Sequence, residues 1–119
     1  MEDKLKLMEE AYTLAKRYEA ERGSCPQCVL AAVHETLGVS DPETIQAADS
    51  LAGGSALTTE GTCGALVGGL LAIGACAGRS YNEFCEQEKK RKVFKYSTML
   101  YDRFVQEYGS PLCKGVQKA

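Results

Sequence analysis

Residues 61–78, GTCGALVGGLLAIGACAG, form an 18-residue run without a charge, six of its residues glycine. Its reading decides the fold. The run sits at the short limit for a membrane span and is poor in large apolar side chains, so the expectation is a buried helix with no membrane insertion. That helix starts near Thr62 or Cys63 and stops at Gly78. Gly64, Gly68 and Ala72 recur every four residues, and Ala65 with Gly69 adds a second small row. Each mid-helix glycine costs about 1 kcal/mol against alanine. Repeating that cost is sensible where another backbone, or a cofactor, comes close. Packing between helices is the preferred explanation of the two.

Outward from this run the pattern is helical throughout. Leu7, Ala11, Leu14 and Tyr18 recur at spacings of three and four, which predicts a first amphipathic helix over about 2–21, ended by Gly23. Ser24 with Gln27 has capping-box spacing and Pro26 suits a first turn, so a second helix is expected from Cys25 to Leu37, before Gly38. Asp41 and Pro42 open a third that reaches Leu51, and AGGSALTTEG (52–61) reads as a loop. After the glycine-rich helix, Ser80 and Glu83 have capping-box spacing and predict a long helix to Tyr108, with Phe84, Val93, Leu100, Phe104 and Tyr108 inward. Alternating β-branched runs, repeats and linkers are absent from the sequence. The expected fold is all-α, a single-domain bundle of about five helices over residues 1–119.

Composition narrows the function. Apolar residues make up 45% and charged ones 25%, with a net charge of -2, which gives no electrostatic case for nucleic acid. The mixed acids and bases of MEDKLKLMEEAYTLAKRYEAERG (1–23) lack an export-signal core. A cytoplasmic location is therefore expected, where a standing disulfide framework is not. Six cysteines in 119 residues then favour metal ligands, redox thiols or buried packing groups.

Spacing sorts those thiols. Cys25 and Cys28 form a C-x-x-C at a helix start, facing the same way, where free amides and the helix dipole are expected to lower a thiol pKa. Zinc, iron–sulfur and disulfide chemistry all use this arrangement. Cys63 repeats it at another helix start. Cys76 lies 13 residues further along the same helix, so about 20 Å away at 1.5 Å per residue. It belongs to a different site. The expected metal set is Cys25, Cys28, Cys63 and Cys113, with Cys85 in reserve. His34, the only histidine, stands well around its helix from Cys28 and reads as a satisfied or solvent-facing side chain. EQEKKRKVFK (86–95) reads as a solvated face.

CVLAAVHETLGV (28–39), the glycine-containing loop, GTCGALVGGLLAIG (61–74) and FVQEYGSPLC (104–113) together resemble the C_GCAxxG_C_C family of redox-active proteins. The sharpest part is Cys63-Gly64-Ala65 followed by Gly68. The resemblance maps the family's first cysteine onto Cys28, its motif cysteine onto Cys63 and the next onto Cys113. A fourth thiolate would come from Cys25, Cys85 or a second subunit. The resemblance implies a small helical protein holding an iron–sulfur or similar sulfur-bound centre, with Gly64 and Gly68 beside it, and exchanging electrons with a partner oxidoreductase. A metal-free dithiol at Cys25 and Cys28 is the alternative. A helical interaction module with cysteine filler is the second alternative. The ridge of small residues also makes a homodimer an expectation.

Overall fold

The computed structural model describes residues 2–84 and 92–118. In chain order the helices are α1 (Glu2–Arg22), α2 (Cys25–Leu37), α3 (Pro42–Ala47), α4 (Gly64–Ala77), α5 (Lys92–Tyr108) and α6 (Cys113–Lys118), with a 3₁₀ turn, Ala48–Leu51, after α3. Among the described residues there is no strand, only an isolated bridge between Thr62 and Leu112. The all-α expectation holds. The helix bounds from Glu2 to Leu37 and for α4 agree with the sequence to within two residues.

Local chemistry departs from expectation at three places. Ser24 does not cap α2. It lies in the left-handed region, and its Oγ donates to Asp49 Oδ1 at 2.9 Å. Gln27 donates through Nε2 to the Ile45 carbonyl at 3.0 Å. Both side chains of the expected capping box therefore fasten α2 to α3 and the turn behind it. Asp41, by contrast, caps α3 as its sequence suggests, accepting from the Thr44 amide at 2.7 Å.

The second departure follows α4. Glu83 does reach back to the Ser80 amide, at 3.1 Å, but residues 81–84 form a turn, and the described span of α5 is Lys92–Tyr108. Phe84 is therefore an exposed turn residue, not part of an inward stripe. The expected helix over 85–91, and Cys85 with it, lies outside the described residues. The third departure is α6, which adds a short helix where the sequence suggested only a closing tail.

The core is layered around α2, which packs on α1 to one side and α4 to the other, while α5 covers part of α4. Leu30 of α2 and Leu66 of α4 are fully buried, with Pro26 between the helices. Of the stripe expected on α1, Tyr18 is buried, Ala11 and Leu14 are half-buried and Leu7 is exposed. The α2–α4 contact is close because α4 presents glycine there. A methyl group on Gly64 would sit 2.7 Å from both Cys25 Cβ and Pro26 Cδ, and one on Gly68 would sit 2.8 Å from Val29 Cβ. The small-residue row thus sets helix approach, and α2 fills the space beside Gly64 and Gly68.

Gly64→Ala is expected to destabilise the protein by about 1–3 kcal/mol through overpacking. Gly74 is on the same helix, with nothing within 4 Å of an added methyl. Gly74→Ala is accordingly expected to be neutral or to stabilise by up to about 1 kcal/mol from helix propensity alone. Denaturant titration of the two variants separates close approach from propensity.

Candidate functional site

Three helix starts meet at one end of the molecule, and each carries a cysteine. Cys25 is the first residue of α2, Cys63 immediately precedes α4 and Cys113 is the first residue of α6. The Cys63 amide donates to the Pro111 carbonyl at 2.7 Å and the Cys113 amide to the Gly61 carbonyl at 2.9 Å, flanking the Thr62–Leu112 bridge. In an antiparallel pairing of this register Cys63 and Cys113 share a face as diagonal neighbours, roughly 7–8 Å apart. Cys25 joins them from α2. Its Cβ lies beside Gly64, and its thiol feels the charge of the Cys63 sulfur.

The loop behind Cys113 is strained. Gly53, Gly54, Ser55, Ala56, Leu57 and Thr59 all have φ between 50° and 75°. L-residues other than glycine enter this region at about 1–2 kcal/mol each and rarely in succession. Hydrogen bonds within the loop hold the left-handed turn, among them Ala56 N to Ser50 O at 2.9 Å and Thr59 N to Gly53 O at 2.8 Å. The turn seats Gly54 against Cys113, where a methyl on Gly54 would lie 2.8 Å from Cys113 Cβ. The composition of 52–61 announced a loop but not this turn, because serine, alanine and leucine carry no left-handed preference.

Cys28 follows Cys25 by one turn of α2. It is buried, and its thiol donates to the Gly23 carbonyl at 2.9 Å. The Cys25 thiol is half-buried and donates to Glu19 Oε1 at 3.3 Å. Glu19, on the last turns of α1, raises the pKa of both thiols. Sequence reading did not single it out among the many acids of α1. Its six-residue offset from Cys25 across the Gly23 turn was the available signal.

The expectation of lowered thiol pKa values is corrected here. Burial, with Glu19 second, pushes Cys25 up to about 12. Burial and the Glu19 charge push Cys28 up to about 11, against a small opposing pull from Arg22. A backbone donor does favour the Cys25 thiolate, as a helix start should, but it is the smallest of the contributions. Desolvation outweighs the helix terminus because Cys28 is buried and Cys25 half-buried, with both thiols on the side of α2 that meets the end of α1.

The remaining candidates fall elsewhere. Cys76 is exposed at the far end of α4. His34 has Nδ1 within 3.2 Å of the Val39 carbonyl and 3.1 Å of the Ser40 carbonyl, a satisfied helix-end histidine. A pocket of about 250 Å³ opens beside Cys28, lined also by Tyr18, Arg22 and Glu35. Tyr18 donates to Glu35 at 2.6 Å, and the Arg22 guanidinium lies 4.8 Å from the Tyr18 ring centre. Among the described residues, no three Cys, His, Asp or Glu side chains come together as a set that could hold a metal ion. As they stand, the described thiols do not fit one shared thiolate-ligated centre. None of the described helices is long and apolar enough to cross a membrane.

Residues 23–119 match the family described as "Putative redox-active protein (C_GCAxxG_C_C)". The chain belongs to the C_GCAxxG_C_C family. No curated protein and no solved structure matches it. The matched segment begins at Gly23, so α1 and its Glu19 carboxylate lie outside it.

Raised thiol pKa values fix a sign for the pH dependence. The folded state keeps Cys25 protonated above the ordinary thiol value of 9.0, whereas the unfolded chain loses that proton. The stabilisation is present in full below about pH 9 and is lost as pH rises towards about 12. Glu19→Gln removes the charge that opposes the thiolate. It is expected to speed alkylation of Cys25 at neutral pH and to lower its titration midpoint. Iodoacetamide labelling resolved by mass spectrometry checks both.

Proposed function

We propose that this chain is a thiol-based redox protein that exchanges electrons with a partner oxidoreductase through Cys25 and Cys28. The observation that carries the reading is the half-buried Cys25 at the start of α2, with buried Cys28 one turn behind and Glu19 acting on both. C-x-x-C thiols in such positions interconvert between dithiol and disulfide. The five described cysteines are free, which supports a reducing compartment, and we place the protein in the cytoplasm.

In the reducing direction, Cys25 loses its proton to solvent as its sulfur attacks one sulfur of a partner disulfide. A mixed disulfide forms, and the other partner sulfur leaves as a thiolate. Cys28 then loses its proton and attacks the Cys25 sulfur, breaking the mixed disulfide and releasing the second partner sulfur. The two protons lost by Cys25 and Cys28 balance the two taken up by the partner dithiol, and two electrons pass. High thiol pKa values make the attacking sulfurs strong nucleophiles once ionised but keep the ionised fraction small at neutral pH.

Cys63 and Cys113 stand next to this pair. An iron–sulfur or other thiolate-ligated centre on Cys25, Cys28, Cys63 and Cys113 is the second reading. It is favoured by the placement of Cys25, Cys63 and Cys113 at three neighbouring helix starts. Forming it requires these thiols to draw closer together than they stand.

A redox titration on the full chain is expected to show a two-electron couple whose midpoint falls by about 59 mV per pH unit, twice 29.6 mV for two protons, from neutral pH to about pH 11. The couple should vanish in Cys28→Ser and persist in Cys76→Ser. Survival of the couple in both Cys25→Ser and Cys28→Ser would contradict the dithiol reading. Iron and acid-labile sulfide near stoichiometry after anaerobic purification, lost together in Cys63→Ser, would support the second reading instead.

A further inference from the structure

We infer that the face formed by α4, α5 and the end of α2 is the interface of a homodimer, with a second copy of this chain as its occupant. Helix α4 carries no charge and is apolar around its whole circumference, yet only Gly64, Leu66 and Gly68 of its fourteen residues are buried. A helix of that kind belongs in an interior. Helix α5 is strongly amphipathic over seventeen residues, yet only Val93 is buried. Between them lies an open groove of about 580 Å³, lined by Leu37, Ile73, Cys76, Tyr96 and Met99, with no charged side chain among the described residues of its walls. Leu37 and Tyr96 are each 46% exposed and Met99 61%.

The total exposed surface is large enough to allow such a cover. The chain exposes 8441 Å² at 12.9 kDa, whereas a compact monomer of this mass exposes about 6,300 Å². The excess of roughly 2,100 Å² falls within the about 1,000–2,500 Å² that each subunit of an obligate homodimer buries. The radius of gyration, 14.5 Å, likewise exceeds the about 13.5 Å of a compact chain of this length.

The chemistry of the groove selects the occupant. An uncharged apolar wall offers nothing to a nucleic acid or to a charged peptide. It fits a partner face that is itself apolar and uncharged, and a two-fold axis supplies one by bringing the same face of a second chain onto it. The protruding Leu37 and Met99 of one copy would then enter the groove of the other. Cys76 would be covered, while the Cys25–Cys28 pair at the opposite end of α4 would stay outside the interface.

Sedimentation equilibrium in reductant, across a dilution series of the full chain, tests this. The expected mass is about 26 kDa, twice 12.9 kDa. Leu37→Glu and Met99→Glu change exposed side chains, and are expected to give monomers with unchanged helical circular dichroism. Alkylation of Cys76 is expected to slow as wild-type concentration rises and to be independent of concentration in Met99→Glu. A wild-type chain that stays monomeric throughout would overturn the inference, as would a dimer indifferent to both substitutions. Flotation of a monomeric chain with phosphatidylcholine vesicles would also overturn it, and assign the face to a lipid surface.

Discussion

The approach of α2 to α4 at Gly64 and Gly68 is the constraint on which the rest of this structure depends. Without side chains at those two positions, the Pro26 ring and Val29 lie almost against the α4 backbone. The same contact sets Cys25 beside Gly64, and hence within electrostatic reach of Cys63, the residue preceding it. Any side chain at Gly64 would push apart the two helix starts that carry these cysteines. Packing and site geometry are therefore one feature, and the glycine cost in helix propensity is offset by the burial that close approach allows.

Burying the thiols has a chemical consequence opposite to that of a solvent-facing helix start. A thiolate at an exposed N-terminus is stabilised by free amides and by the dipole. At Cys25 the loss of hydration and the Glu19 carboxylate both act against the charge, and together they prevail. A protonated resting dithiol follows, with its ionisation tied to whatever accepts the proton. The carboxylate comes from α1, a helix outside the segment that matches the family. Seen this way, α1 both covers one side of α2 and sets the electrostatics of its first turn.

How much was readable in advance depended on whether a residue's role was local. Helix α2 was readable to its end residues because Gly23, Pro26 and Gly38 punctuate it, and α4 because its uncharged run has clear glycine limits. The meeting of Cys25, Cys63 and Cys113 at neighbouring helix starts was within reach of spacing arguments, and the match over residues 23–119 agrees with the family those cysteines suggested. Ser24 and Gln27 misled because their spacing satisfies a local motif while their partners, Asp49 and Ile45, are some twenty residues away. The left-handed turn through Ser55, Ala56 and Leu57 runs against the preferences of those residues, and backbone bonds such as Ala56 N to Ser50 O hold it. Glu19 was hidden for a related reason: only its offset from Cys25 across the Gly23 turn sets it apart from the other acids of α1.

Disulfide mapping by mass spectrometry after mild oxidation of the full chain tests the account most directly. An intramolecular Cys25–Cys28 bridge is expected as the first product, with Cys76 remaining a free thiol. Oxidation that leaves Cys25 and Cys28 reduced while Cys76 forms bridges between chains would contradict it.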